Sequence, residues 1–181
     1  MIIKILICLG ILVSVLIIYA YTTAPKSLPI SRSILIQAPA EQVFPYVNSP
    51  RRMQEWNPFT EGDPTLKMTY TGPEEGTGAA SAWEGNSNTG KGQATIVEVE
   101  LNKRVAVRLD FKKPFDVTNF GEYRLEAKGS ATEFTWSIVE TAMIPRLISR
   151  FVNLDRIIGG HFERGLLKLK TKAESKPVSG K

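Results

Sequence analysis

From Ile5 to Pro25 the chain carries no charged side chain, and from Ile5 to Ile18 only Gly10 and Ser14 interrupt an apolar run. Ile2 to Tyr21 is twenty residues, a helical rise of about 30 Å that matches a hydrocarbon core. Lys4 is the one charge in that span. It stands one turn from the start, where its stem can bury while the ammonium reaches the headgroups. Tyr19 and Tyr21 stand at the other end, where amphipathic rings favour the interface. The run predicts a single transmembrane anchor over residues 1–21, with the bilayer as a partner. A cleaved signal peptide is the competing reading. It needs small residues before the cut, which Thr22-Thr23-Ala24 offers, but the following Pro25 and the length of the run disfavour it. A helix apolar on every side, followed by prolines, argues against a buried core helix. Charge counting leaves the orientation open, because Lys4 is opposed by Lys26 and Arg32. A short tail before a first apolar span favours an extracytoplasmic domain.

The remainder of the 181 residues suffices for one domain with a real core. Outside the span 22 basic residues face 18 acidic ones, an excess too mild for nucleic acid. A single cysteine, Cys8 within the span, excludes an internal disulfide and a thiolate cluster. A single histidine, His161, excludes a His-rich metal centre. No metal and no cofactor are expected. Residues 22–29, with Pro25 and Pro29, read as a linker reaching at most ~28 Å, so the domain hangs close to the bilayer.

Ile30 to Gln37 is β-branched and reads as a strand, ended by Ala38-Pro39. Ala40 to Asn48 and Pro50 to Trp56 read as short helices, with Pro45 weakening the first. The period then becomes two. Leu66-Met68-Tyr70, Val105-Val107-Leu109-Phe111, Phe115 to Leu125 and Phe134-Trp136-Ile138 alternate with polar neighbours. Gly72-Pro73, Gly85-Asn86, Asn102-Lys103, Lys113-Pro114 and Lys128-Gly129-Ser130 supply the turns of an antiparallel meander. The inward set switches between Gly92 and Leu101, which predicts a bulge near Ile96. Leu147, Phe151, Leu154, Ile158, Phe162, Leu166 and Leu169 form one helical stripe. A polar tail follows over 173–181. The order predicts an α+β domain over residues 30–172, a curved antiparallel sheet wrapped around a long C-terminal helix.

Four stretches carry a resemblance: Ile36-Gln37-Ala38-Pro39-Ala40-Glu41-Gln42-Val43-Phe44; Trp56-Asn57-Pro58-Phe59; Trp83-Glu84-Gly85-Asn86 with Gly90-Lys91-Gly92; and Ile158-Gly159-Gly160-His161-Phe162-Glu163-Arg164-Gly165-Leu166. In their order and spacing the chain resembles the SRPBCC (START/Bet v 1-like) superfamily, in its bacterial polyketide cyclase/dehydrase-like branch. His161 departs from the acidic residue common there. The resemblance implies a helix-grip fold with a deep apolar pocket, often for a lipid, sterol or polyketide-like ligand. It implies no shared catalytic residue.

The inward face is expected to offer Trp83, Phe111, Phe115, Tyr123, Phe134 and Trp136, with Phe162 facing them from the helix. Ala80, Ala82 and Gly121 are expected to leave volume for an apolar small molecule. Trp56, Phe59 and His161 are the candidate rim. A packed core competes with a cavity for each of these side chains, and the Trp56 loop can equally fold inward. Gly159, Gly160 and Gly165 each cost about 1 kcal/mol in a helix and need a compensating reason. No nucleophile elbow, P-loop, dinucleotide fingerprint or metal-ligand spacing is present in the sequence. The reading is a membrane-anchored domain binding a hydrophobic small molecule or lipid between sheet and helix. The alternatives are a cyclase- or dehydratase-like enzyme and a protein-interaction or stress-response module without a ligand.

Overall fold

The computed structural model describes residues 2–114, 116–140 and 143–175. Helix α1 spans Ile2–Thr23 and is long and apolar enough to cross a membrane. Of its residues only Ala20 is buried. It continues two residues past the expected end, and there the Thr22 and Thr23 hydroxyls donate back to the Ile18 and Tyr19 carbonyls. Strand β1 (Leu28–Ile36) begins earlier than expected and takes in Pro29. A sheet edge tolerates a proline, and β1 pairs only with β7. Four residues, 24–27, therefore separate α1 from the sheet, fewer than the eight expected.

Strands β2 (Lys67–Thr71), β3 (Ala80–Glu84), β4 (Lys91–Glu100), β5 (Arg104–Lys113), β6 (Val117–Lys128) and β7 (Ala131–Glu140) complete one antiparallel sheet. Its order is β1-β7-β6-β5-β4-β3-β2, so the first strand returns to pair with the last. A register shift between Ile96 and Glu98 leaves Val97 unpaired, which moves the inward set from Ala94 and Ile96 to Val99. Between β1 and β2 lie α2 (Ala40–Val43), α3 (Pro45–Asn48) and α4 (Pro50–Gln54). Pro45 and Pro50 each occupy a first turn, where a missing N–H costs nothing, and so divide the segment.

Cross-strand pairs define the inner face. Ile34 and Leu125 flank Phe134, Tyr123 stands beside Trp136 and Val105, and Val107 lies between Ile96 and Gly121. Ala80 and Ala82 pair with Thr95 and Gln93, on the face opposite Trp83 and Gly92. They therefore leave no room inside, contrary to expectation.

The C-terminal stripe is not one helix. Helix α5 (Met143–Ile148) is followed by a turn, and α6 runs from Leu154 to Glu174. Asn153 sets the break: its side chain accepts from the Arg156 N–H at 2.9 Å, and Asp155 stands in the first turn beside the positive helix end. Phe151, expected on the buried stripe, lies in that turn and is exposed. Phe162, Leu166 and Leu169 bury against the inner face, each contributing about 1.5–3 kcal/mol. The far end of α6 is fastened to β1 and α2. Lys170 Nζ donates to the Leu35 carbonyl at 2.6 Å, Gln42 Nε2 to the Ala173 carbonyl at 2.5 Å, and Glu174 Oε1 accepts from the Gln37 N–H at 2.6 Å. The ordered helix thus outlasts the expected boundary at 172. The tail beyond 175 lies outside the described residues, as does Phe115.

Candidate functional site

The segment between α4 and β2 folds over the inner face instead of framing its edge. Trp56, expected at a rim, is only 1% exposed. Its Nε1–H donates to the Tyr46 carbonyl at 3.0 Å, which satisfies the indole and lets the ring bury. It meets Tyr123, Phe134 and Trp136 edge-on at 5.7, 6.4 and 5.2 Å. Trp136 in turn stacks on Phe162 with centroids 4.0 Å apart, so α6 rests directly on the sheet there. Pro58 and Trp136 leave no space at Gly165, where a Cβ would stand 3.1 Å from the proline and 3.0 Å from the indole. Close packing is the compensation for that glycine. Phe59 stays 42% exposed and stacks on His161 at 4.9 Å.

Phe134, Trp136, Phe162, Trp56 and Tyr123 therefore make one packed aromatic cluster. Trp83 and Phe111 stand apart from it as an edge-to-face pair at 5.6 Å. The Trp83 ring lies over Gly92, whose absent Cβ would meet it at 2.5 Å, and its Nε1–H donates to the Thr89 carbonyl. The expected inner wall is thus two groups, one filled and one open.

Burial changes along the strands. At the end carrying the β6–β7 hairpin, Ile36, Thr132, Phe134 and Val105 are sealed. At the other end Trp83, Leu109, Phe111, Val117 and Ile138 are half-buried on the same inner face, and Ile158 of α6 is half-buried above them. Tyr123 stands between the halves. Its phenol makes no hydrogen bond among the described residues, its ring is half-buried, and burial pushes its pKa above the ordinary value. It is thus a neutral phenol at the boundary between the two halves. Asn119, 1% exposed, donates to Glu140 Oε2 at 3.0 Å at the edge of the open half.

This open end is also the end nearest α1. Leu28 pairs with Glu140, Val139 with Phe120, Val117 with Phe111, and Gly92 with both Phe111 and Trp83. A groove of about 410 Å³ there is lined by Pro25, Leu28, Ile30 and residues 149–155.

Other charged groups on and around the sheet are paired. Asp110, on the outer face, accepts from Thr118 and Arg108, which hold its carboxyl below the usual range. Glu84 pairs with Lys91. Tyr70 lies under the Arg51 guanidinium at 4.2 Å. Arg32 crosses α6 at Gly159 and reaches Asp155 at 2.9 Å and Glu163 at 2.8 Å, which raises its pKa. That spacing of four puts both acids on one helix face with the glycine between them. His161 accepts at Nδ1 from Arg164 at 2.7 Å, a geometry that requires the neutral ring because arginine only donates. Burial first, and Arg164 second, hold its pKa below the ordinary value. No group of three or more His, Cys, Asp or Glu side chains that could hold a metal ion occurs among the described residues.

Solved structures of the same architecture include protein CV1439 from Chromobacterium violaceum, 13% identical, with a TM-score of 0.59 over 84% of this chain and 99% of that one. The Aha1 dimer from Colwellia psychrerythraea is 15% identical, with a TM-score of 0.59 over 82% of this chain and 97% of that one. Ara h 8.0201 is 10% identical, with a TM-score of 0.54 over 83% and 99%. At such identities the likeness is one of fold, and it fits a helix-grip domain. No curated protein matches the chain. The family described as polyketide cyclase / dehydrase and lipid transport matches residues 28–174, from the first residue of β1 to the last of α6. The chain belongs to that family.

Proposed function

We propose that this protein is a membrane-tethered module that binds an apolar small molecule or lipid on the inner face, in the half nearest α1. One observation carries the reading: half-buried Trp83, Leu109, Phe111, Ile138 and Ile158 line an inner face whose Tyr123 hydroxyl has no hydrogen-bond partner among the described residues. Apolar walls with one oriented polar group suit an amphipathic ligand. The family, with its lipid-transport members, supports the same class. Four residues between α1 and β1 keep that open end at the bilayer, where apolar ligands concentrate. Acid–base chemistry has less support. The Tyr123 phenol stays neutral, Asp110 and Glu84 pair with Arg108 and Lys91, and Asp155 and Glu163 are held by Arg32.

The test is binding of cis-parinaric acid to the full chain in nanodiscs, read by energy transfer from tryptophan, with mass spectrometry of co-purified lipid. Gly121→Leu places a side chain into the open half, since a Cβ there makes only ordinary contacts, at 3.4 and 3.8 Å. The expected result is at least tenfold weaker binding in Gly121→Leu and unchanged binding in Gly160→Ala. Equal binding in Gly121→Leu and the unaltered chain would defeat the proposal. The domain is proposed to face the extracytoplasmic side, and protease protection in sealed vesicles checks it.

A further inference from the structure

The turn between α5 and α6 has features that ligand binding does not use. Ile148, Phe151 and Val152 are 42%, 60% and 41% exposed, three large apolar side chains within five residues. From Thr141 to Leu154 the chain carries Arg146 and Arg150 and no acid. Both arginines reach the end of α1. Arg146 Nε donates to the Pro25 carbonyl at 2.5 Å, and Arg150 donates to the Thr23 carbonyl. A helix leaves its last carbonyls without internal partners and carries partial negative charge there, so the Arg150 contact with Thr23, the last residue of α1, is complementary, and Pro25 lies just beyond it. They fix the turn at the level where α1 ends, a level also marked by the exposed Tyr19 and Tyr21. Exposed Lys26 and Arg156 flank it.

We propose that this turn is a second membrane contact, which seats the domain on an anionic phospholipid surface beside α1. The assignment rests on α1 being the anchor. Given that anchor, Phe151 and Val152 stand at headgroup depth, where apolar and aromatic side chains enter the boundary and arginines meet phosphate. Continuity with the span distinguishes this patch from an exposed apolar residue such as Leu101, which lies in the β4–β5 turn at the opposite end of the sheet. The seat turns the open end of the inner face toward the bilayer, so a ligand can pass between them without crossing much water.

The test uses the full chain with Cys8→Ser, reconstituted in phosphatidylcholine vesicles containing phosphatidylglycerol. A single cysteine at Val152, labelled with a nitrobenzoxadiazole dye, keeps Phe151 in place, and Phe151→Cys is the second site. Ser130→Cys is the reference, at the opposite end of β7 and roughly 30 Å away. The expected result is a blue-shifted label at 152 and 151, quenched by shallow doxyl lipids at least threefold more than at 130. Quenching at 152 should fall at least twofold in pure phosphatidylcholine, and equal quenching there would overturn the anionic partner. Vesicle flotation separates the failures. A chain that floats with its 152 label as wet as its 130 label overturns the seat alone. A chain that does not float overturns the anchor and the seat together.

Discussion

Replacing Gly160 and Gly165 separately by alanine tests how α6 is seated. Both lie inside one helix, so each substitution gains the same backbone contribution, about 0.8–1 kcal/mol. The surroundings then decide the sign. A Cβ at Gly160 meets nothing within 4 Å, so Gly160→Ala keeps the whole gain. At Gly165 the new methyl would stand 3.0 Å from Trp136 and 3.1 and 3.3 Å from two atoms of Pro58. Trp136 cannot withdraw, because Trp56 lies against it at 5.2 Å and Phe162 stacks on it at 4.0 Å. Forcing an extra methyl into such a contact costs about 1–3 kcal/mol. Gly165→Ala should therefore lower stability by about 1 kcal/mol, while Gly160→Ala raises it by about 1 kcal/mol. In a domain of this size each change moves the melting point by about 2–4 °C, in opposite directions. Urea and thermal unfolding of the full chain in detergent micelles, followed by tryptophan fluorescence, reads both. Equal stabilisation by the two alanines would refute the placement of Pro58 and Trp136 against the helix, and with it the packed half of the inner face.

Three further outcomes are expected. Gly159→Ala should destabilise the unaltered chain by displacing the Arg32 guanidinium from Asp155 and Glu163, yet stabilise an Arg32→Ala background by about 1 kcal/mol; a double-mutant cycle in urea measures the change of sign. His161 has its pKa held below the ordinary 6.5, so the unfolded chain binds its proton first. Its contribution to stability is full above pH 6.5 and declines as pH falls toward the folded-state pKa; unfolding midpoints from pH 5 to 8 should show this slope, and His161→Gln should lack it. Thr132→Val removes a fully buried hydroxyl that donates to the Ala38 carbonyl at 2.8 Å, and should cost about 1–3 kcal/mol in the same unfolding assay, because that carbonyl is left buried without its partner.

What could be read in the sequence was whatever depends on neighbours along the chain. The uncharged run to Pro25 determined a long apolar helix of which only Ala20 is buried. Strict alternation in Val105-Val107-Leu109-Phe111 determined which side of β5 faces inward, because successive strand side chains point oppositely. The phase change after Ile96 located the bulge for the same reason. The break before α6 was legible in principle, since Asn153 followed by Asp155 is a helix-start signal, but the apolar spacing from Leu147 overrode it.

Tertiary structure decided the rest. Trp56 and Trp83 are both tryptophans beside turn residues, and nothing local distinguishes them. One is sealed because the Tyr46 carbonyl stands where its N–H points, and the other stays half-open because Gly92 lets it lie flat at the sheet end. The reasons for Gly159 and Gly165 sit more than 25 residues away in sequence, in Arg32 and in Pro58 with Trp136. The meeting of Arg146 and Arg150 with the end of α1 joins segments more than a hundred residues apart. Periodicity reports which way a side chain faces. Whether its space is filled depends on what other parts of the chain bring to that face, and that is a property of the packed molecule alone.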